Sequence, residues 1–241
     1  MTTAITNTEH FLELAQKYLH QNHLGEAIQI CAQIVKTEPN NQYAFYYMGL
    51  ANFKLGKPQI AIQQLQKAIE LDSERPEFLC DLGEILEAIG SIKEAESYYR
   101  KTLIIDRVNA KALIKLGSIL IERNQFKAGI TALEKASELE PDNIVPVMLL
   151  ADAKYKSGHI IDALELYLLA TSIEPLKEAA WNKLAAIHMN LENWEKAHQF
   201  LGHCACHTAS PYSVDVDSYW ACWEQRYRTT HCSDGALSIR I

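Results

Sequence analysis

Small residues recur along this chain at one fixed interval. Gly49, Gly83 and Gly117 are spaced 34 residues apart, and the same step in both directions reaches alanine. A second series of small residues lies twelve positions further along each interval. Its members are Ala27, Ala61, Ala95, Gly129, Ala163 and Ala197. A period held without insertion or deletion predicts a repeat architecture, because each copy of a motif meets its neighbours in the same way.

Large apolar residues keep the same register and predict helices. Within each interval they fall three and four positions apart in two blocks, which is the pattern of two amphipathic helices. Between the blocks stands Gly or Asn, the residue types that most easily take a left-handed backbone conformation at a helix end. These turn residues are Asn22, Gly56, Gly90, Asn124 and Gly158. Each interval is therefore predicted to be a helical hairpin.

The register divides the chain into six repeats between two terminal segments. A lead-in covers residues 1–7, and the repeats cover 8–41, 42–75, 76–109, 110–143, 144–177 and 178–211. The register is lost in residues 212–241, but a shift of five residues restores the apolar spacing at Trp220, Trp223 and Tyr227. We expect a capping helix from about Asp217 to Arg228, because the open end of a repeat array needs a cover.

The pattern resembles the tetratricopeptide repeat, a motif of about 34 residues with Trp, Leu-Gly, Tyr, Ala, Phe, Ala and Pro at set positions. In the sixth repeat Trp181 stands at the Trp position, and Leu184 and Ala185 stand at the Leu-Gly pair. In the second repeat that pair is Met48 and Gly49. The resemblance implies an all-α fold: a right-handed superhelical solenoid of six helix-turn-helix repeats with a C-terminal capping helix. It also implies a non-catalytic scaffold or adaptor that binds a peptide or helical segment of a partner protein in a concave groove.

Some repeats depart from the family pattern. Asn52, Lys154 and His188 stand where the family favours Tyr. Gly129 replaces a helical Ala, and Glu192 replaces the Gly of the turn. We expect looser packing in these repeats.

The resemblance also implies which residues face the groove. In this family the groove is lined by set positions of each first helix, and here those positions are aromatic in the second repeat, acidic in the third, basic in the fourth and apolar in the fifth. The predicted groove residues are Tyr43, Tyr46, Tyr47, Leu50, Phe53, Asp81, Glu84, Lys111, Lys115, Met148 and Tyr155. One interpretation is a contact site for a segment with apolar anchors and a central basic stretch. The other is that the tyrosines pack between neighbouring first helices.

Some members of the family hold a terminal carboxylate of a chaperone with a clamp of Lys and Asn. Lys111 and Lys115 match the last two clamp positions. Tyr46, Leu50 and Asp81 stand where Lys, Asn and Asn are required, and Asp81 would repel a carboxylate. We therefore predict that this groove is not a carboxylate clamp.

The composition of the chain excludes some classes of partner. The chain has 23 basic and 30 acidic residues, for a net charge of -7, which disfavours nucleic acid as a partner. The absence of a long apolar run argues against membrane insertion, and the start of the chain lacks a secretory pattern, so we expect a cytoplasmic protein.

There is no phosphate-binding Gly-rich loop, nucleophile elbow or His-Glu-x-x-His motif, so we expect neither an enzyme nor a cofactor.

His203, Cys204, Cys206 and His207 form a cluster of soft ligands, but no Cys-x-x-Cys pair is present. We expect packed thiols and surface histidines there and no metal. Two alternatives to a free-standing adaptor remain. The chain could be the interaction region of a larger enzyme, such as a repeat-fused glycosyltransferase, or a self-assembling scaffold that forms a homo-oligomer.

Overall fold

The computed structural model describes the backbone of residues 2–207 and the side chains of residues 8–202. Within this range the chain forms twelve α-helices and no strand, which confirms the predicted all-α class. The helices are α1 (Thr2–His20), α2 (Leu24–Thr37), α3 (Gln42–Lys54), α4 (Pro58–Leu71), α5 (Pro76–Ala88), α6 (Ile92–Ile105), α7 (Ala110–Glu122), α8 (Phe126–Leu139), α9 (Ile144–Lys156), α10 (Ile160–Ile173), α11 (Glu178–Asn190) and α12 (Trp194–His207). The predicted capping helix Asp217–Arg228 lies outside the described residues.

The chain divides into two compact units, Met1–Pro141 and Asp142–Ile241. In the first unit α1 packs on α2, α3 on α4, α5 on α6 and α7 on α8, and each of the first three hairpins also contacts the first helix of the next. In the second unit α9 packs on α10, α11 on α12, and α10 on α11. Each unit is thus a stack of helical hairpins in chain order.

The turn within each hairpin uses a left-handed residue. The predicted turn residues all have positive φ angles, which confirms that reading of the Gly and Asn pattern: Asn22, Gly56, Gly90, Asn124 and Gly158. Glu192 takes the same conformation, with φ of 56°. After each of these residues the next backbone N–H closes the end of the first helix, as Asn193 does by donating to the carbonyl of His188 at 2.9 Å.

Asparagine caps begin three of the first helices. Asn41 and Asn109 accept hydrogen bonds from the backbone N–H groups of Ala44 and Ala112, each at 3.0 Å. Asn143 accepts from Val145 at 2.9 Å. These side chains satisfy backbone donors that a helix start leaves unpaired, and a cap of this kind contributes about 1 kcal/mol.

The small periodic residues are the points of closest approach within a hairpin. A Cβ atom added to Gly83 would lie 2.7 Å from Cε1 of Tyr99, whose side chain is fully buried. Ala61, Ala95 and Ala163, the small residues of the opposing helices, are also fully buried. The period of the sequence therefore records where two backbones must come close enough to exclude a larger side chain. None of the helices in the described part of the chain is long and apolar enough to cross a membrane.

Candidate functional site

The first helices of the first unit line a groove of about 540 Å³. Helix α3 contributes its aromatic face, α5 contributes carboxylates, and α1 and α7 complete the lining. The groove contains eight of the predicted residues: Tyr43, Tyr46, Tyr47, Leu50, Phe53, Asp81, Glu84 and Lys111. Glu77, at a groove position of the acidic third repeat, lines it too, and the remaining lining residues are Gln16, Leu19, His20, Lys54 and Ile85.

The tyrosines of α3 line the groove and also pack against the next repeat. The ring of Tyr46 stacks on Phe78 with centroids 4.5 Å apart, and Tyr43 meets the same ring edge-on at 5.5 Å. Tyr47 contacts Tyr46 at 5.3 Å. All three tyrosines remain half-buried, whereas Phe78 is fully buried. The two interpretations of the tyrosines are therefore compatible, because one side of the cluster packs and the other lines the groove.

Asp81 joins the aromatic and charged parts of the groove. Its carboxylate accepts a hydrogen bond from the Tyr46 hydroxyl at 2.6 Å and one from Lys111 Nζ at 2.8 Å. Lys111 also pairs with Glu84 at 2.8 Å. The acidic third repeat and the basic fourth repeat thus bind each other, so they do not form the two separate charged stretches that residue order suggests. Burial and the Asp81 carboxylate both raise the pKa of Tyr46, which keeps this hydroxyl a donor.

Lys111 stays charged in this setting. Its partial burial lowers the pKa of the ammonium group, but the hydrogen bonds to Asp81 and Glu84 raise it by more, so the pKa lies above its usual value. Lys115 lies outside the groove lining and pairs with Glu87 at 3.3 Å. Both lysines matched to the carboxylate clamp are therefore bonded to carboxylates of their own chain.

The second hydrogen bond at Glu87 comes from within its own repeat. The hydroxyl of Tyr99 donates to Glu87 at 2.6 Å, and burial, followed by this bond, raises the pKa of Tyr99. Because Lys115 belongs to the next repeat, the Glu87 carboxylate connects a buried tyrosine of one hairpin to a lysine of the following one.

The second unit contains the remaining predicted residues. Met148 and Tyr155 are half-buried and pack around the fully buried Tyr167. The amide of Asn190 donates to the Tyr155 hydroxyl at 2.9 Å. Met148 and Tyr155 belong to this unit, and the other predicted groove residues belong to the first.

A tyrosine, a carboxylate and a lysine also meet in the second unit. Asp152 accepts hydrogen bonds from the Tyr167 hydroxyl and from Lys183 Nζ, the latter at 2.7 Å. Tyr167 and Lys183 stand two full repeats beyond Tyr99 and Lys115 in the sequence. An equivalent tyrosine and lysine therefore share a carboxylate in both units, although Asp152 stands three residues before the position that corresponds to Glu87.

The described side chains include no group of three or more His, Cys, Asp or Glu that could hold a metal ion. Burial raises the pKa of the Cys31 and Cys80 thiols to about 12, so both behave as packing residues. The side chains of His203, Cys204, Cys206 and His207 lie outside the described residues, and the expectation for that cluster stays a prediction.

Stacked hairpins with a groove along their first helices define a helical-repeat protein. Two family profiles, both described as tetratricopeptide repeat, match residues 46–110 and 110–143. The chain is a tetratricopeptide repeat protein, as its sequence resemblance predicted.

Known proteins of similar sequence extend the comparison. The chain is 21% identical to the BBSome complex member bbs-4 of Caenorhabditis elegans over 229 residues, covering 71% of this chain and 50% of the relative. It is 31% identical to the TPR repeat-containing protein MJ1428 of Methanocaldococcus jannaschii over 139 residues, covering 57% of this chain and 24% of the relative. The chain thus spans half or less of the length of these curated relatives.

The fold is similar to that of YrrB, whose crystal structure is described as a TPR protein with an unusual peptide-binding site. The match has a TM-score of 0.65 at 19% sequence identity and covers 81% of this chain and 97% of YrrB. At this identity the likeness establishes the shared helical-repeat fold.

Proposed function

We propose that this chain is a non-catalytic scaffold that binds a peptide or helical segment of a partner protein in the groove of its first unit. The observation that carries the proposal is the half-buried aromatic face of α3 beside an open space of about 540 Å³. Aromatic side chains that are already held in place lose little conformational entropy on binding and supply a large contact area. The Tyr46 hydrogen bond to Asp81 and the stacking on Phe78 fix one such ring before any partner arrives.

The comparisons support this reading at the level of the repeat. YrrB, which shares the fold, is described as having a peptide-binding site, and the relative bbs-4 is described as a member of a complex. Because the chain spans half or less of its curated relatives, the same binding role can belong to one region of a longer protein. A scaffold of this kind needs no reacting group, since holding two proteins together requires only complementary surfaces.

A groove-blocking substitution tests the proposal without removing any core contact. Gln16 is exposed and lines the groove, so Gln16→Trp places a large ring in that space. Gln66 is exposed on α4 outside the groove lining, and Gln66→Trp is the matched control. Short random peptides displayed on phage are selected on the full chain, and the affinity of the enriched peptides is measured with all three proteins by fluorescence anisotropy.

We expect Gln16→Trp to weaken the enriched peptides by about tenfold, a loss of about 1.4 kcal/mol, and Gln66→Trp to leave their affinity unchanged. If the enriched peptides bind both variants and the unsubstituted chain with equal affinity, the binding site lies outside the groove. The absence of any enriched peptide would contradict the proposed function itself.

A further inference from the structure

The lining of the groove has more negatively charged than positively charged side chains. Its lining holds three carboxylates, Glu77, Asp81 and Glu84, and two lysines, Lys54 and Lys111. Lys111 is bonded to two of these carboxylates, and Lys54 donates to a backbone carbonyl of α1 at 3.3 Å. Among the described residues, Glu77 makes no hydrogen bond or ion pair; its charge acts on the Arg75 guanidinium, but Arg75 donates its hydrogen bond to Asp72. The groove therefore carries one carboxylate that pairs with neither of its lysines.

Glu77 stands beside the aromatic face. It is half-buried in the first turn of α5, where the helix dipole favours a negative charge. Burial is the largest cause that raises the pKa of Tyr47, and the Glu77 carboxylate adds to the effect on both Tyr46 and Tyr47. The negative potential of Glu77 thus reaches the tyrosine rings of the groove.

The same aromatic cluster already holds a cation of the chain. The guanidinium of Arg75 lies over the ring of Tyr43, 5.5 Å from its centroid, and its Nε donates to Asp72 at 2.8 Å. Tyrosine rings attract cations through their electron-rich faces, and a neighbouring carboxylate strengthens that attraction. Tyr46 and Tyr47, which line the groove, carry the same kind of ring as the one that Arg75 covers.

We propose that the groove selects a segment with a basic side chain next to an apolar one. The Lys or Arg of the partner pairs with Glu77 while its aliphatic stem lies along Tyr46 and Tyr47, and the apolar neighbour contacts Leu50 and Phe53. This inference rests on the proposed function, since it names the chemistry of the segment that the groove binds.

An acidic segment fits the same groove poorly. Its carboxylate would approach Glu77, and a half-buried like-charge pair opposes binding. Lys111 could pair with such a carboxylate only by losing its hydrogen bonds to Asp81 and Glu84. Since both of those groups would then lose a partner, the exchange brings no net gain. The structure therefore favours a basic partner segment over an acidic one.

The peptides selected on the full chain test this preference directly. We expect enrichment of Lys or Arg beside Leu, Ile or an aromatic residue, and weaker binding of these peptides in high salt. Glu77→Gln keeps the side-chain shape and should weaken the basic peptides about fivefold, as the loss of one partly exposed ion pair does. Glu77→Lys should turn the preference toward acidic peptides. Glu138→Gln and Glu138→Lys, at an exposed position of α8 outside the groove lining, are the matched controls.

The outcomes separate this inference from the proposed function. Peptides that lose affinity with Gln16→Trp but show no basic preference, or an acidic one, would leave the groove as a binding site and overturn the role of Glu77. Equal effects of the Glu77 and Glu138 substitutions would also overturn it, because a general field effect does not require Glu77. The salt dependence with the unsubstituted chain needs no variant, so an unstable Glu77 variant does not prevent the test.

Discussion

The ring of Phe200 stacks on the imidazole of His188 in the last hairpin, with centroids 5.4 Å apart and an interplanar angle of 28°. In the second repeat the equivalent positions hold Asn52 and Gln64, which are joined by a hydrogen bond of 2.9 Å. Because Phe200 offers no polar group, the buried Nδ1 of His188 has no hydrogen-bond partner in the described structure. The same pair of repeat positions thus makes a hydrogen bond in one hairpin and a stacking contact in another.

Protonation of His188 should destabilise the last hairpin. Burial lowers the pKa of this imidazole, and the positive charge of Lys196 lowers it further. The unfolded chain, with an ordinary histidine pKa of about 6.5, therefore binds a proton more readily than the folded chain below that pH. Stability is fully retained above the unfolded pKa and decreases as the pH falls below it.

Melting temperatures of the unsubstituted chain and of His188→Tyr at pH values on both sides of neutrality measure this effect. Tyr is the family residue at this position, and all the other histidines are common to both proteins. We expect the unsubstituted chain to lose more stability than His188→Tyr on acidification. A difference between the two proteins that is independent of pH would contradict the assignment.

A carboxylate at position 196 should reverse this pH dependence. In the fifth repeat the equivalent positions hold Lys154 and Asp162, which pair at 3.4 Å. Lys196→Asp reproduces that arrangement beside His188, where the new carboxylate favours the protonated imidazole. We expect the variant to be more stable than the unsubstituted chain in mild acid, with a His188 pKa above that of the unsubstituted chain by NMR titration. Lys127→Asp, at an exposed position in the first turn of α8, is a control for net charge, and equal behaviour of the two variants would contradict a specific pair.

The sequence was sufficient to predict the hairpins because their constraints are local. A left-handed turn requires Gly or Asn, and a close contact between two helices requires a small residue, so both leave a mark at every period. The asparagine caps at Asn41, Asn109 and Asn143 are also periodic, since each stands at the same position of its repeat. The repeat period therefore indicates them as well.

The groove was predictable only in part. Residue order placed Asp81 and Lys111 in separate stretches, yet they lie on neighbouring helices and pair. Whether two charges on adjacent repeats meet depends on side-chain reach across the groove, which the period does not encode. Phe78 was missed because only groove positions were considered, although its spacing to Leu82 and Ile85 indicates the buried face of α5.

Glu192→Gly should stabilise the last hairpin. Glu192 has a positive φ of 56°, a conformation in which a side chain with a Cβ atom is strained by about 1 kcal/mol. Gly removes that strain and matches Gly56, Gly90 and Gly158 at the equivalent turns. Urea denaturation should show a gain of about 1 kcal/mol in the free energy of unfolding.

Asn124→Gly is the matched control, because Asn124 has a similar φ of 60° and asparagine tolerates this conformation better than glutamate. Its gain should be only a few tenths of a kcal/mol. Equal gains for the two substitutions would show that turn strain does not distinguish Glu from Asn here.

The contact of Tyr99 and Lys115 at Glu87 should be energetically coupled. Tyr99→Phe removes the hydroxyl donor and Lys115→Met removes the ammonium donor, and each leaves Glu87 with the other partner. We expect the double variant to lose about 1 kcal/mol more than the sum of the single variants, because Glu87 then has neither donor. Additive losses would contradict the coupling. Tyr99→Phe combined with Lys67→Met, whose exposed lysine pairs only within α4, should be additive.

Two substitutions of Tyr46 should separate its packing from its polar contact. Tyr46→Phe keeps the ring on Phe78 and removes only the hydroxyl bond to Asp81, which also remains bonded to Lys111, so the expected loss of stability is about 1 kcal/mol. Tyr46→Ala also removes the stacked ring and should lose about 2–3 kcal/mol. Peptide affinity, measured per folded molecule, should fall with Tyr46→Ala and change little with Tyr46→Phe, because the ring face lines the groove. An alanine variant as stable as the phenylalanine variant would mean that the Phe78 contact does not join the second and third repeats.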